Sequence, residues 1–234
     1  METHPTDSLP AEHTGARIVA IQVGLPEART DADGKPWTSA IGKSPVIGAV
    51  FMGRENLDGD RQFNRKHHGG PEKAVCIYSA EHYPAWRAEC DRPDQPFGSF
   101  GENLTVIGLT EERTCLGDIY HAPSGAAIQI CQPRVPCANV RRHWGATRLP
   151  ARMRETGFTG FYCRVLAEGM LHAGDALTLA ERFFPDWTVA RANRALYGRA
   201  GDATRAERRA LIALGPPVSA ECAAFVGKLA LEKT

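Results

Sequence analysis

Six consecutive residues, Gln132-Pro133-Arg134-Val135-Pro136-Cys137, place an arginine and a thiol on a segment stiffened at two points. Proline fixes its own φ and biases the residue before it toward an extended conformation. Cys137 is therefore expected on a stiff, extended, non-helical stretch, as suits a group that must point at one spot. A thiolate presented this way serves as a nucleophile or as a soft metal ligand. Arg134, three residues earlier, could lower the thiol's pKa or hold a phosphate.

Two motifs upstream add to this. Arg65-Lys66-His67-His68-Gly69-Gly70-Pro71 sets basic donors before a paired glycine that lets backbone N–H groups approach an anion closely. It fits a phosphate or an anionic cofactor, and equally a plain basic turn with surface histidines. Phe100-Gly101-Glu102-Asn103-Leu104-Thr105 leads from a glycine through a carboxylate and a carboxamide into a strand. That cluster can hydrogen-bond a heterocycle or close its own backbone. A zinc site from His67, His68 and Cys137 is disfavoured because adjacent histidines point in different directions. A papain-like dyad of Cys137 with His143 or His67 is a further alternative, without any supporting hydrolase signature.

The rest of the chain must position these groups. Its 234 residues and ordinary apolar fraction suffice for a large soluble core, and a formal net charge of +1 argues against a nucleic-acid binder. No apolar run reaches the roughly 18 residues that cross a bilayer. Seven cysteines without a C-x-x-C point to a reducing, cytoplasmic setting in which most are small buried hydrophobes. Residues 1–16 lack an apolar stretch and read as a disordered leader.

Across 17–181, short β-branched and aromatic runs bounded by Gly, Pro and Asp predict strands at 18–23, 47–52, 74–78, 103–106, 127–131 and 160–166. Gly117-Asp118 and Gly174-Asp175 each turn into a further apolar strand. Many short strands at this spacing predict a mainly β fold, a closed or nearly closed barrel. Ser79 is expected to cap a helix carrying Tyr83, Trp86 and Cys90, and a second helix is expected at 149–155. From 182 to 234 the pattern turns helical. Thr188 caps one helix that stops at Gly198, Thr204 and Glu207 form a capping box for another, and Ser219 opens a third. Three such short helices need support from the barrel or from a second subunit, so a homodimer is one expectation.

Taken together and in order, these motifs resemble the MOSC domain (molybdenum cofactor sulfurase C-terminal type), within it the YiiM-like branch. The resemblance runs through Ser39-Ala40-Ile41-Gly42-Lys43-Ser44-Pro45-Val46, Gly59-Asp60-Arg61-Gln62, His67-His68-Gly69-Gly70 and Glu81-His82-Tyr83. It continues through Gly101-Glu102-Asn103-Leu104, Gly117-Asp118, Gln132 to Cys137 and Gly174-Asp175. It implies a pyruvate-kinase-like β-barrel with a small C-terminal α-helical domain. It also implies molybdenum cofactor (molybdopterin) bound with Cys137 on the metal, and no pyridoxal phosphate in a chain of this length.

Lys66, His67, the Gly69-Gly70 backbone, Arg134, Asn103 and Lys43 are the donors expected around the cofactor, with Arg61 and Asn139 as weaker candidates. The implied reaction is reduction of N-hydroxylated compounds such as hydroxylaminopurine-type base analogues to amines, with His67 or His68 supplying protons. A separate flavin or iron–sulfur reductase would deliver the electrons. The alternative is a module that carries sulfur or the cofactor on Cys137.

Overall fold

The computed structural model describes residues 15–31, 33–198 and 202–231. The expectation of a disordered leader falls mostly on residues 1–14, outside the described residues, and Ala16 already opens the first strand. The strands are β1 (Ala16–Val23), β2 (Glu27–Thr30), β3 (Pro36–Ser39), β4 (Ser44–Pro45), β5 (Val50–Met52) and β6 (Val75–Ser79). They continue with β7 (Leu104–Ile107), β8 (Ile119–His121), β9 (Ala127–Pro133), β10 (Phe161–Ala167), β11 (Gly169–Leu171) and β12 (Ala176–Glu181). The helices are α1 (Arg65–His68), α2 (Tyr83–Glu89), α3 (Ala138–Trp144) and α4 (Leu149–Thr156), then α5 (Val189–Tyr197), α6 (Asp202–Ile212) and α7 (Ala220–Leu231).

Seven strands close a barrel in the order β1-β7-β6-β10-β9-β8-β12. Closure is made by β12 returning to β1, with Ala16 opposite Leu177 and Arg17 opposite Ala176. Among the described strands, β6 and β7 are the parallel pair, Ile77 facing Leu104. A parallel pair needs a long crossover. Here the crossover carries α2 and the 98–103 loop, which it delivers to the mouth of β6.

The two-residue period of a strand sorts side chains onto opposite faces. Val75 and Ile77 of β6 and Phe161, Cys163 and Val165 of β10 join an aliphatic core inside the barrel with Ile18, Leu104, Val106, Ile128 and Ile130. The alternate residues face outward, yet β6 and β9 are buried along their whole length because other elements cover that side. Tyr78 enters a second core with Tyr83, Trp86, Phe100, Val140, Trp144, Leu149 and Met153. Tyr78 stacks on Phe100 with ring centroids 4.1 Å apart. Trp86 Nε1 donates to the Tyr78 hydroxyl at 2.6 Å, so each buried polar tip has a partner.

The helices from 189 onward pack on the barrel: Val189, Ala192, Leu211, Cys222 and Val226 belong to the same core cluster as the strands. Thr188 caps α5 as expected, its hydroxyl accepting from the Arg191 N–H at 3.1 Å. Three expectations differ. α6 begins at Asp202, so Thr204 and Glu207 lie inside the helix as i,i+3 neighbours and not at its start. The run at 47–52 is a strand only from Val50, because Gly48 turns the chain at φ +89° and leaves Ile47 fully exposed. Ser79 does not cap α2. A short 3-10 turn, Ala80–His82, intervenes, and the Ser79 hydroxyl bonds Glu81 instead.

Candidate functional site

A cavity of about 270 Å³ lies outside the barrel wall, against the outward faces of β6 and β10. Cys76 and Tyr162, the alternates of the core residues just described, form part of its lining. The hairpin β2–β3 and the segment after it bring Ser39, Ile41 and Lys43, and the crossover loop brings Phe100, Gly101 and Asn103. The segment after β9 contributes Arg134, Cys137 and Asn139.

Cys137 has an extended backbone, φ −103° and ψ 169°, and stands directly before α3. The stiff presentation expected from the prolines is present, but the helix that follows was not anticipated. Its signal was there: Val140 and Trp144 are buried four residues apart, and Gly145 ends the helix in the left-handed region at φ +64°. Burial pushes the Cys137 thiol up. A hydrogen bond from His68, the charge of Arg134 and the Asn139 backbone N–H outweigh that, and the thiol falls from 9.0 to about 6. At neutral pH Cys137 is a thiolate.

Arg134 is 4 % exposed. Its Nη2 donates to the Phe100 carbonyl and its backbone N–H to the Gly160 carbonyl at 3.0 Å. Nη1 is buried with no hydrogen-bond partner among the described residues. An unsatisfied buried guanidinium N–H costs free energy, on the order of 1–3 kcal/mol or more for a charged group. Arg134 also lines the cavity, so its charge acts on whatever enters.

Two of the lining residues, Lys43 and Asn103, are tied to Asp60, whose side chain is fully buried and which does not itself line the cavity. Its carboxylate accepts from Lys43 Nζ at 2.5 Å, the Gly24 N–H at 2.9 Å and Asn103 Nδ2 at 2.9 Å. Asn103 Oδ1 in turn accepts the Cys76 N–H at 3.0 Å. Lys43 and Asn103 both line the cavity as expected, but Asn103 uses its amide to hold the wall together. Glu102 closes its own loop: it accepts from the Gly98 N–H at 2.8 Å, the Phe100 N–H at 3.1 Å and the Tyr83 hydroxyl at 2.5 Å.

The basic run before the glycines divides. His68 lines the cavity, whereas Lys66 and His67 are exposed and do not. The run is one turn of helix, so successive side chains diverge by about 100° and one of them turns inward. Gly69 and Gly70 also lie outside the lining. Gly70, at φ +95°, turns the chain into the 3-10 segment Pro71–Lys73. That turn delivers Lys73, which the sequence reading did not single out. Lys73 lines the cavity at 5 % exposure, and its Nζ lies 5.8 Å from the centre of the Tyr162 ring. Arg61 and Asn139, the weaker candidates, both line it. His143 does not; burial and then Arg29 push its imidazole down to about 4. The zinc set and the two papain-like pairs weighed from sequence are therefore not assembled among the described residues, and the imidazole that acts on the Cys137 thiol is that of His68.

Sequence and structure comparisons place the chain among known proteins. The MOSC domain family model matches residues 64–178. A Bacillus subtilis protein named Uncharacterized protein YflK is 42 % identical over 191 residues, spanning 82 % of this chain and 85 % of that one. A Gibberella moniliformis protein named Reductase is 34 % identical over 82 % of this chain, but the match spans only 34 % of its own length. The crystal structure of YiiM from Geobacillus stearothermophilus superposes with a TM-score of 0.75 at 34 % identity, covering 91 % of this chain and 98 % of that one. No helix among the described residues is long and apolar enough to cross a membrane. With its seven-stranded barrel, its cysteine-bearing segment after β9 and these relatives, the chain belongs to the MOSC domain family, in the YiiM-like group.

Proposed function

We propose that the cavity binds the molybdenum cofactor through Cys137 and that the chain reduces N-hydroxylated compounds to amines. The observation that carries this reading is the juxtaposition of a Cys137 thiolate with the partnerless Nη1 of Arg134 in one cavity. The residues fit the group. A thiolate already deprotonated at neutral pH is a soft donor of the kind a dithiolene-bound metal takes. The Arg134 N–H, Lys73 and Arg61 suit the cofactor's anionic phosphate and polar pterin.

When bound, the cofactor supplies two-electron redox chemistry. The reaction R–NHOH + 2e⁻ + 2H⁺ → R–NH₂ + H₂O consumes two protons. His68 lines the same cavity and stabilises the Cys137 thiolate, which makes it the candidate proton-handling side chain of the site. The electrons come in this reading from a separate flavin or iron–sulfur reductase. The similarity to part of a longer protein named Reductase supports a redox role. Seven free thiols suit a cytoplasmic location.

The test is elemental analysis of protein made in a cofactor-competent host, comparing the parent with Cys137→Ser, followed by turnover of an N-hydroxylated base analogue. Stoichiometric molybdenum in the parent, its loss in the variant and steady reduction by the parent are expected. Equal metal in both would remove Cys137 from the ligand role. Sulfane sulfur on Cys137 without turnover would favour the carrier alternative.

A further inference from the structure

Three cations line the cavity from within the fold, and they differ in what balances them. Lys43 faces Asp60, whose side chain is fully buried, so the two charges cancel where they stand. Arg134 has no carboxylate among its hydrogen-bond partners. Lys73 is intermediate: its Nζ donates to the His67 carbonyl and to Glu221 Oε2, each at 2.6 Å. The Lys73 side chain is 5 % exposed and that of Glu221 55 %. Solvent therefore screens the carboxylate much more than the ammonium, and the cavity keeps much of the positive field.

Glu221 belongs to α7, far along the chain, and the start of that helix is fixed to the cavity wall. Ser219 donates its N–H to the Cys131 carbonyl at 2.9 Å and its hydroxyl to Gln132 Oε1. Glu72, beside Lys73, accepts from the Ala220 N–H at 3.0 Å and from Arg164 at 3.0 Å. The helix is thus tied both to the turn bearing Lys73 and to the strand that leads into Arg134 and Cys137.

We propose that Glu221 is a positioning residue: it holds Lys73 in the cavity and sets the positive charge that an anionic, phosphate-bearing ligand meets there. Helix α7 is then part of the binding site. An anion entering the cavity competes with Glu221 for Lys73, so ligand binding and the contact between α7 and the 71–73 turn are linked. The identity of that anion rests on the cofactor reading above, while the charge-setting role does not.

Cys137 provides the probe. In the metal-free full-length chain, its rates of alkylation by anionic iodoacetate and neutral iodoacetamide are measured by peptide mass mapping near neutral pH. Their ratio reports the charge facing the thiolate. Lys73→Met is expected to lower the ratio by roughly two- to fivefold, the effect of one partly screened unit charge nearby. Glu221→Gln keeps a carbonyl acceptor for Lys73 but removes the negative charge, and should raise the ratio by a smaller factor, because solvent already screens that carboxylate. Glu221→Leu removes the acceptor as well as the charge, and with Lys73 no longer held it should leave the ratio below that of Glu221→Gln; in a Lys73→Met background the two should agree, and Glu221→Asp alone should return the parent value. A parental ratio in Glu221→Gln, or equal ratios in Glu221→Leu and Glu221→Gln while Lys73 is present, overturns the proposal. Should Lys73→Met fail to fold, the Glu221→Gln and Glu221→Asp pair still decides. Because no metal is loaded, the outcome is independent of the molybdenum measurement.

Discussion

Two thiols face the same cavity and feel the same guanidinium, yet they titrate in opposite directions. Cys76, in the middle of β6, is pushed up to about 11 by burial, with Arg134 opposing that only in part. Cys137, on the segment leading into α3, is pulled down to about 6. Both are desolvated and both gain from the Arg134 charge. What separates them is hydrogen bonding to the charged form. His68 and the Asn139 N–H stabilise the thiolate of Cys137, whereas the backbone around Cys76 is committed to its ladder and to Asn103. A nearby cation does not suffice to make a reactive cysteine; donors aimed at the sulfur do.

The widest separation should appear in alkylation. With iodoacetamide at pH 7, Cys137 is expected to react on the order of a hundred times faster than Cys76: its thiolate fraction is larger by roughly ten thousandfold, and the weaker nucleophilicity of a low-pKa thiolate takes back about a hundredfold of that. Comparable rates would erase the contrast. Next in size is His68→Ala. The pH midpoint of Cys137 labelling, about 6 in the parent, should climb by roughly one to two units as one stabilising donor is lost. An unmoved midpoint would transfer the effect to Arg134 and the α3 backbone.

A pH titration of stability gives a smaller signal of fixed sign. The folded pKa of Cys137 lies below the ordinary value of 9.0, so its ionisation contributes stability that is complete above about 9 and disappears as pH falls through about 6. Cys137→Ser should flatten that part of the parent's curve. Cys76→Ala should do least: about 1 kcal/mol of stability from a small void, read by urea unfolding, with the Cys137 midpoint unchanged. A shift of that midpoint would mean that the two sulfurs are coupled.

The prolines around Arg134 and Cys137 made that segment legible, since fixed φ values restrict the backbone whatever the surroundings. The barrel strands were legible for a related reason: β-branched runs between turn formers leave few other conformations. The boundary of the 47–52 strand was not, because Gly48 permits a turn that the apolar pattern alone conceals. Within the basic run, sequence identified the right neighbourhood but not the right residue. Only the helical twist of α1 decides that His68 enters the cavity while Lys66 and His67 face solvent. Lys73 escaped notice because its role depends on a partner 148 residues away. Asp60 stood in a matching motif, yet its function as a hub for Gly24, Lys43 and Asn103 is a tertiary fact. Cys76 counted among the buried cysteines and is buried, and the alternation of β6 also turns it toward the site.

The hub on Asp60 also constrains timing. Its partners lie 36, 17 and 43 residues away along the chain, and the last of them sits at the end of the crossover between β6 and β7. A nascent polypeptide emerging from its amino terminus cannot complete that platform until residue 103 has joined it. Cys137 follows later still. A receptacle assembled from such distant stretches exists only after the cylinder has formed, so whatever ligand it takes meets a finished protein and not one under synthesis.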